Sequence, residues 1–380
     1  MAKFVIWLPL GLVLISNLAI AQVTTAKERF IKNKTELLKS FDSARNNSRD
    51  KFENSKLIYA LNFDKIKQDL AKLWDIPQLT NKSVWVQYSR NNTIRRSVDF
   101  ESGNITVEIL GDDLSSDEVS DIVWAQLTEL ETETTTQAYK KDKVVSSGGP
   151  AILAAKDKML QYVNIPALTS SAKISSSKQN DGVTVTSVSM RYPKNDIQEI
   201  AMMYLPSVMD NSTKWGVSPE LIFAIMHTES HFNPMAQSHI PAFGLMQIVP
   251  TSAGRDVTKH YLGKEILLPD ELLFNPEFNI EIGSCYINIL QSHYLAAVKN
   301  TETRTYLVVA AYNGGIGAVA KHFTGATSLS GLAETVNALD PAFVYDSLTN
   351  NFPAFETRNY LKKVTSKLLP YKIFISERMN

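Results

Sequence analysis

The chain has 380 residues, and its 39 lysines plus arginines balance 39 acids. That length supports two domains with proper cores, while the zero net charge excludes a strong field directed at nucleic acid or an anionic membrane. A single cysteine, Cys285, excludes an intramolecular disulfide and any multi-cysteine metal site; it lies in an expected helix and reads as a small core residue.

In chain order, Lys3, the apolar run Phe4 to Ile15 and the small-x-small triplet Ala19-Ile20-Ala21 read as an export signal over residues 1–21. The run is short for a membrane span and no second stretch is long enough to be one, so the mature protein is expected to be exported and soluble. Residues 23–75 are charged and helix-prone, with partial apolar stripes at Leu57, Ala60 and Leu61, then Ile66, Leu70 and Leu73. Val84 to Arg90 alternates, and Arg96 to Leu110 reads as a β-hairpin turning at Glu101 to Asn104. A helix is expected from about Ser116 to Tyr139. Ser146 to Pro150 and Ser170 to Ser177 are loop or linker candidates, and Val183 to Arg191 alternates as one more strand. Residues 22–192 are thus expected to form an α+β domain with no legible site of its own, and residues 23–192 to be dispensable for bond cleavage but to alter activity on intact sacculi.

Beyond Pro193 the pattern is helical. Helices are expected over Ile197 to Trp215, in a segment ending near His231, and over Pro276 to Val298, Arg304 to Tyr312 and Glu356 to Leu369. The fold class is mainly α, a helical domain over 193–380 preceded by the smaller α+β domain.

The most informative stretch runs from Ser218 to Gln247. Ser218 is a good N-cap and Pro219 suits the first helical position. Ile222, Ile225 and Met226 recur at helical spacing, and the next position on that stripe is Glu229. A carboxyl facing the interior is desolvated, which raises its pKa and suits it to act as a general acid near neutral pH. Gly244 permits a tight backbone beside a cleft, and Gln247 offers a donor and an acceptor to a sugar. The Gly314-Gly315 pair suits a left-handed helix cap. His227 and His231 stand at i and i+4, as in zinc motifs, but Glu229 is two residues from each and points about 200° away; exposed histidines at a helix end are the expectation.

In order, Glu229-Ser230, Gly244-Leu-Met-Gln247, Ala311-Tyr-Asn-Gly-Gly315 and Glu356-Thr-Arg-Asn-Tyr360 resemble the catalytic domain of the lytic murein transglycosylases with the goose-type lysozyme fold, over about residues 195–375. The first domain is similar to that of the membrane-bound lytic murein transglycosylase C group, through Trp85 to Tyr88 and Arg96 to Glu108. The resemblance implies a lysozyme-like helical lobe, with Glu229 as single catalytic acid/base and Ser238, Gln247, Tyr312, Asn313, Glu356 and Tyr360 as substrate-binding positions. It also implies cleavage of peptidoglycan glycan strands to 1,6-anhydro ends with neither metal nor organic cofactor. The expected location is the periplasm, with outer-membrane association open, and three roles stay open for the first domain: recognising peptide stems, binding a cell-envelope protein partner, or setting the distance from a membrane. Members of that group are usually lipoproteins, whereas no cysteine follows this signal. Two other readings of the same residues are a goose-type hydrolase, with Asp210, Asp256 or Asp270 as candidate second carboxylates, and a non-catalytic peptidoglycan-binding scaffold.

Overall fold

The computed structural model describes residues 60–144, 158–160, 164–191, 196–238 and 241–379. The export signal, the loop at Ser146 to Pro150 and the boundary at 192/193 lie outside the described residues.

Helix α1 (60–70) leads to β1 (Val84–Ser89), β2 (Ile94–Asp99) and β3 (Asn104–Leu110). After α2 (Ser116–Thr132), α3 (Thr135–Lys141) and α4 (Ile165–Ser170) come β4 (Lys173–Lys178) and β5 (Thr184–Arg191). The sheet order is β1-β2-β3-β5-β4, every pairing antiparallel. Alternation fixes the register: Trp85 faces Val98, Val98 faces Ile105 and Ile105 faces Met190, so one apolar row crosses four strands and is buried. The apolar face of α2, with Val123, Leu127 and Leu130, joins the same core.

Two expectations fail in this module. The long helix to Tyr139 breaks at Glu133, because Glu133 is drawn inward to the buried Arg96 and Thr134 starts α3 with a capping box on Gln137. Ser170 to Ser177 is not a linker: it holds most of β4, a polar edge strand exposed along its length, whose Ser/Lys composition hides it from a hydrophobicity reading.

The helical lobe begins with α5 (Asp196–Trp215) and α6 (Pro219–Ser230), followed by α7 (Arg255–Leu262), α8 (Asp270–Leu273) and α9 (Pro276–Ile289). A π-helical turn at Leu290–Tyr294 ends α9 earlier than the expected Val298. Then come α10 (Thr301–Gly314), α11 (Ile316–Thr324), α12 (Leu329–Asn337), α13 (Pro341–Asp346) and α14 (Phe355–Met379). Helix α14 runs past Pro370, where a stop was expected near Leu369. Among the described residues no helix is long and apolar enough to cross a membrane.

Helix α6 is the centre of the lobe. Every residue from Leu221 to Met226 is buried, so the helix is enclosed rather than amphipathic, packed by α5, α9 and α14. Phe223 stacks on Tyr371 at 5.2 Å and meets Phe374 edge-on at 5.7 Å, fastening α6 to α14.

Candidate active site

Helix α6 ends on His231 and Phe232, both left-handed at φ 51° and 66°. Consecutive left-handed non-glycine residues are uncommon and each costs about 1–2 kcal/mol. Ser230 holds them: its hydroxyl reaches the carbonyl of Leu245 at 2.8 Å and accepts the Phe232 N–H at 3.1 Å. This bend leaves Glu229 buried at the end of the helix. Ser218 takes the expected N-cap position with Pro219 in the first turn, but the Ser218 side chain makes no capping hydrogen bond.

The Gly244-to-Gln247 turn is set by Asn279, a residue the motif reading missed. Fully buried on α9, Asn279 donates to the carbonyls of Phe243 (2.8 Å) and Leu273 (2.7 Å) and accepts the Met246 N–H (2.7 Å). Gly244 is required there: φ is +75°, and a Cβ would lie 2.3 Å from the Leu273 carbonyl oxygen. Gln247 is itself left-handed. Its amide N–H groups go to the carbonyls of Ala236 and Gly244, while its buried Oε1 has no hydrogen-bond partner. Of the donor and acceptor expected for a sugar, the acceptor remains.

Tyr312 on α10 donates its hydroxyl to the Met246 carbonyl at 2.9 Å and packs on Tyr286 at 5.5 Å. Asn313 accepts the hydroxyl of Thr357 at 2.7 Å, tying α10 to α14. Gly315 caps α10 with positive φ but extended ψ, not the expected left-handed cap, because α11 follows at once. Ser238 lines a cavity of about 430 Å³ together with Lys67, Asn81, Lys82 and Gln237.

Around Glu229, Tyr360 and Glu356 of α14 and Tyr312 of α10 converge electrostatically. The buried Tyr360 hydroxyl lies close enough to interact with the Glu229 carboxyl, yet makes no hydrogen bond of regular geometry. Glu356 is exposed. Lys82, from the segment before β1, places Nζ 3.5 Å from Glu229 Oε2, another contact that sequence reading missed. Nothing local marks Lys82: it lies 147 residues away in a polar loop. Burial raises the Glu229 pKa, and Lys82 and Tyr360 oppose that rise. Both tyrosines are pushed well above the ordinary phenol range, first by burial and then by the Glu229 charge.

The α+β module therefore reaches the Glu229 carboxyl through Lys82. The histidines also differ from expectation. His227 is half-buried, bonded through Nδ1 to the Tyr371 hydroxyl at 2.8 Å, and burial pushes its pKa down to about 3. Of the carboxylates considered as a second acid, Asp256 meets the Tyr294 hydroxyl at 3.3 Å and Asp270 lies beside Glu271 and Tyr139.

Residues 207–332 match the family described as Transglycosylase SLT domain. The chain is 34% identical over 331 residues to membrane-bound lytic murein transglycosylase C of Klebsiella pneumoniae, covering 80% of this chain and 86% of that protein. The chain belongs to the lytic murein transglycosylases. The same-named protein of Pectobacterium atrosepticum is 32% identical over 317 residues, covering 80% of this chain and 87% of the relative. Membership makes the chain an enzyme of a peptidoglycan lyase family. The solved 70 kDa soluble lytic transglycosylase of Escherichia coli is 27% identical, with a TM-score of 0.36; 45% of this chain is matched, spanning about a quarter (24%) of that one.

Proposed function

We propose that this transglycosylase cleaves the β-1,4 bond between N-acetylmuramic acid and N-acetylglucosamine without water, using Glu229 as its one acid/base. Glu229 gives its proton to the glycosidic oxygen as the C1–O bond breaks, leaving an oxocarbenium-like centre or an acetamido-assisted intermediate at C1. The ionised Glu229 then removes the proton from the muramoyl C6 hydroxyl as O6 bonds to C1, closing the 1,6-anhydro ring and restoring the acid. The muramoyl hydroxyl replaces water as nucleophile, so a second carboxylate is not needed.

The observation that carries this reading is the burial of Glu229, which keeps its proton on. The Gln247 Oε1 and the Tyr360 hydroxyl, both buried and without a regular hydrogen-bond partner, suit sugar hydroxyl or acetamido groups. In this reading Ser238 and Asn313 line the groove, and Tyr312 fixes its floor at Met246. The relatives named membrane-bound support a place in the cell envelope, and we assign the chain to the periplasmic side. The envelope-protein partner belongs to the same reading, with no surface assigned to it.

Glu356 is the carboxylate that couples electrostatically to Glu229, and it is what a hydrolytic reading would use to activate water. Mass spectrometry of muropeptides released from purified sacculi separates the two. We expect 1,6-anhydromuramic ends from wild type and from Glu356→Gln, and none from Glu229→Gln. Free reducing ends from wild type would replace this mechanism with hydrolysis.

A further inference from the structure

A single carboxyl that must donate a proton and then accept one faces opposed demands. Burial serves the first and penalises the second, because the ionised form loses its hydration. A nearby cation serves the second and penalises the first. Glu229 has both influences: it is buried in the helical lobe, and its cation comes from the α+β module.

The placement of that cation is built. Asn81 folds the segment into a tight turn, its Oδ1 accepting the N–H groups of Ser83 (3.0 Å) and Val84 (2.9 Å). The turn is seated on the strand of chain that follows the acid. The Gln237 N–H donates to the Asn81 carbonyl at 3.4 Å, and the buried Asn233 amide lies 3.4 Å from the carbonyls of both Asn81 and Lys82. The Lys82 side chain is 44% exposed while that of Glu229 is 6% exposed, so one end of the pair stays hydrated. At 3.5 Å the contact is looser than the 2.7–2.9 Å of a strong charge-assisted bond. A cation so placed biases the carboxyl toward ionisation without fixing it there.

We propose that Lys82 is a tuning residue for the acid/base, holding Glu229 between proton donor and proton acceptor, and that the α+β module is thereby part of the catalytic apparatus. The inference rests on the reading of Glu229 given above. The other groups that face Glu229 are Tyr360 and Glu356 from α14 and Tyr312 from α10. The titratable groups His227, His231, Lys363 and Lys367 lie in a separate cluster between α6 and α14, with Glu101 facing His231.

The test is the pH profile of kcat/KM on soluble glycan strands for the full chain, with Lys82→Met, Lys82→Gln, Lys82→Arg and Glu229→Gln. The alkaline limb reports loss of the Glu229 proton in the free enzyme. Removing the ammonium raises the affinity of Glu229 for that proton, so the limb should move to higher pH by about one unit in Met and Gln and stay in place in Arg. A purely structural lysine would lower the rate at every pH and leave the limb where it is. Met and Gln limbs coincident with wild type, or an Arg limb displaced as far as theirs, overturn the proposal. Full activity in Glu229→Gln would instead remove the acid/base reading and this inference with it.

Discussion

Two short segments meet at the carboxyl of Glu229, and they carry opposite kinds of information. The turn after α6, from Ser230 to Gln247, is dense with local rules: a glycine at φ +75°, a glutamine in the left-handed region, and a serine bonded back to its own helix. Its conformation follows mostly from residues within reach of one another, with Asn279 and Tyr312 clamping it from farther along the chain. The Asn81-Lys82 segment is also a well-made turn, but what it does depends on docking against Asn233 and Gln237, about 150 residues onward. Local chemistry makes the proposed catalytic geometry recognisable; docking of one module on another gives that geometry a cation that no motif announces.

The comparison breaks most sharply at the acid. Loss of the carboxyl in Glu229→Gln should cost about 10²–10⁴ in turnover with little change in thermal stability, since the amide is nearly isosteric; turnover on glycan strands and a melting curve check both. At the turn, the expected loss is in folding. Gly244→Ala places a Cβ 2.3 Å from the Leu273 carbonyl oxygen and 2.4 Å from the Asn279 amide. Together with the unfavourable left-handed backbone this should destabilise the lobe by roughly 3 kcal/mol, read by chemical denaturation. A stable Gly244→Ala protein would show that the turn is not clamped by Asn279.

Tyr360→Phe probes a group on the rim of the same carboxyl. Its hydroxyl makes no regular hydrogen bond in the folded chain, so removing it should leave stability nearly unchanged. On glycan strands we expect roughly a tenfold fall in kcat/KM, the worth of about one neutral hydrogen bond. Unchanged kinetics would make Tyr360 a packing residue of α14.

What was legible in the sequence follows the same division. The strands β1, β2, β3 and β5 alternate because one face is buried, and the periodic pattern exposes them; β4 is exposed on both faces and has no such pattern. Helix α6 announced itself through Pro219 and its apolar run, yet enclosure on every side made its stripe less informative than it looked. Helices α7, α11 and α12 were passed over: they are eight or nine residues long, too short for a periodic signal to stand out. Tyr312, Glu356 and Tyr360 were named from motifs and do converge on Glu229. Asn279 and Lys82 were not, since an isolated Asn or Lys carries no sign of the partner it will meet.

The smallest effect concerns a second contact between the α+β module and the helical lobe. Tyr139 of α3 packs on Phe274 at 5.6 Å, and its hydroxyl lies among Asp270, Glu271 and Asp142. Burial, then the neighbouring Glu271, pushes the Asp270 pKa up to about 8. An unfolded aspartate ionises near 3.9, so the folded chain holds a proton that the unfolded chain has released. The stability contributed by this group is therefore full below about pH 4, falls as the pH rises, and is gone above about 8. Asp270→Asn removes that loss. Its melting temperature should match wild type near pH 4 and exceed it by a margin that widens up to pH 8. Because Lys82 is seated by Asn81 on Asn233 and Gln237 and not by this contact, the variant should keep the wild-type alkaline limb of kcat/KM; a limb displaced in Asp270→Asn would mean that the two contacts position Lys82 together.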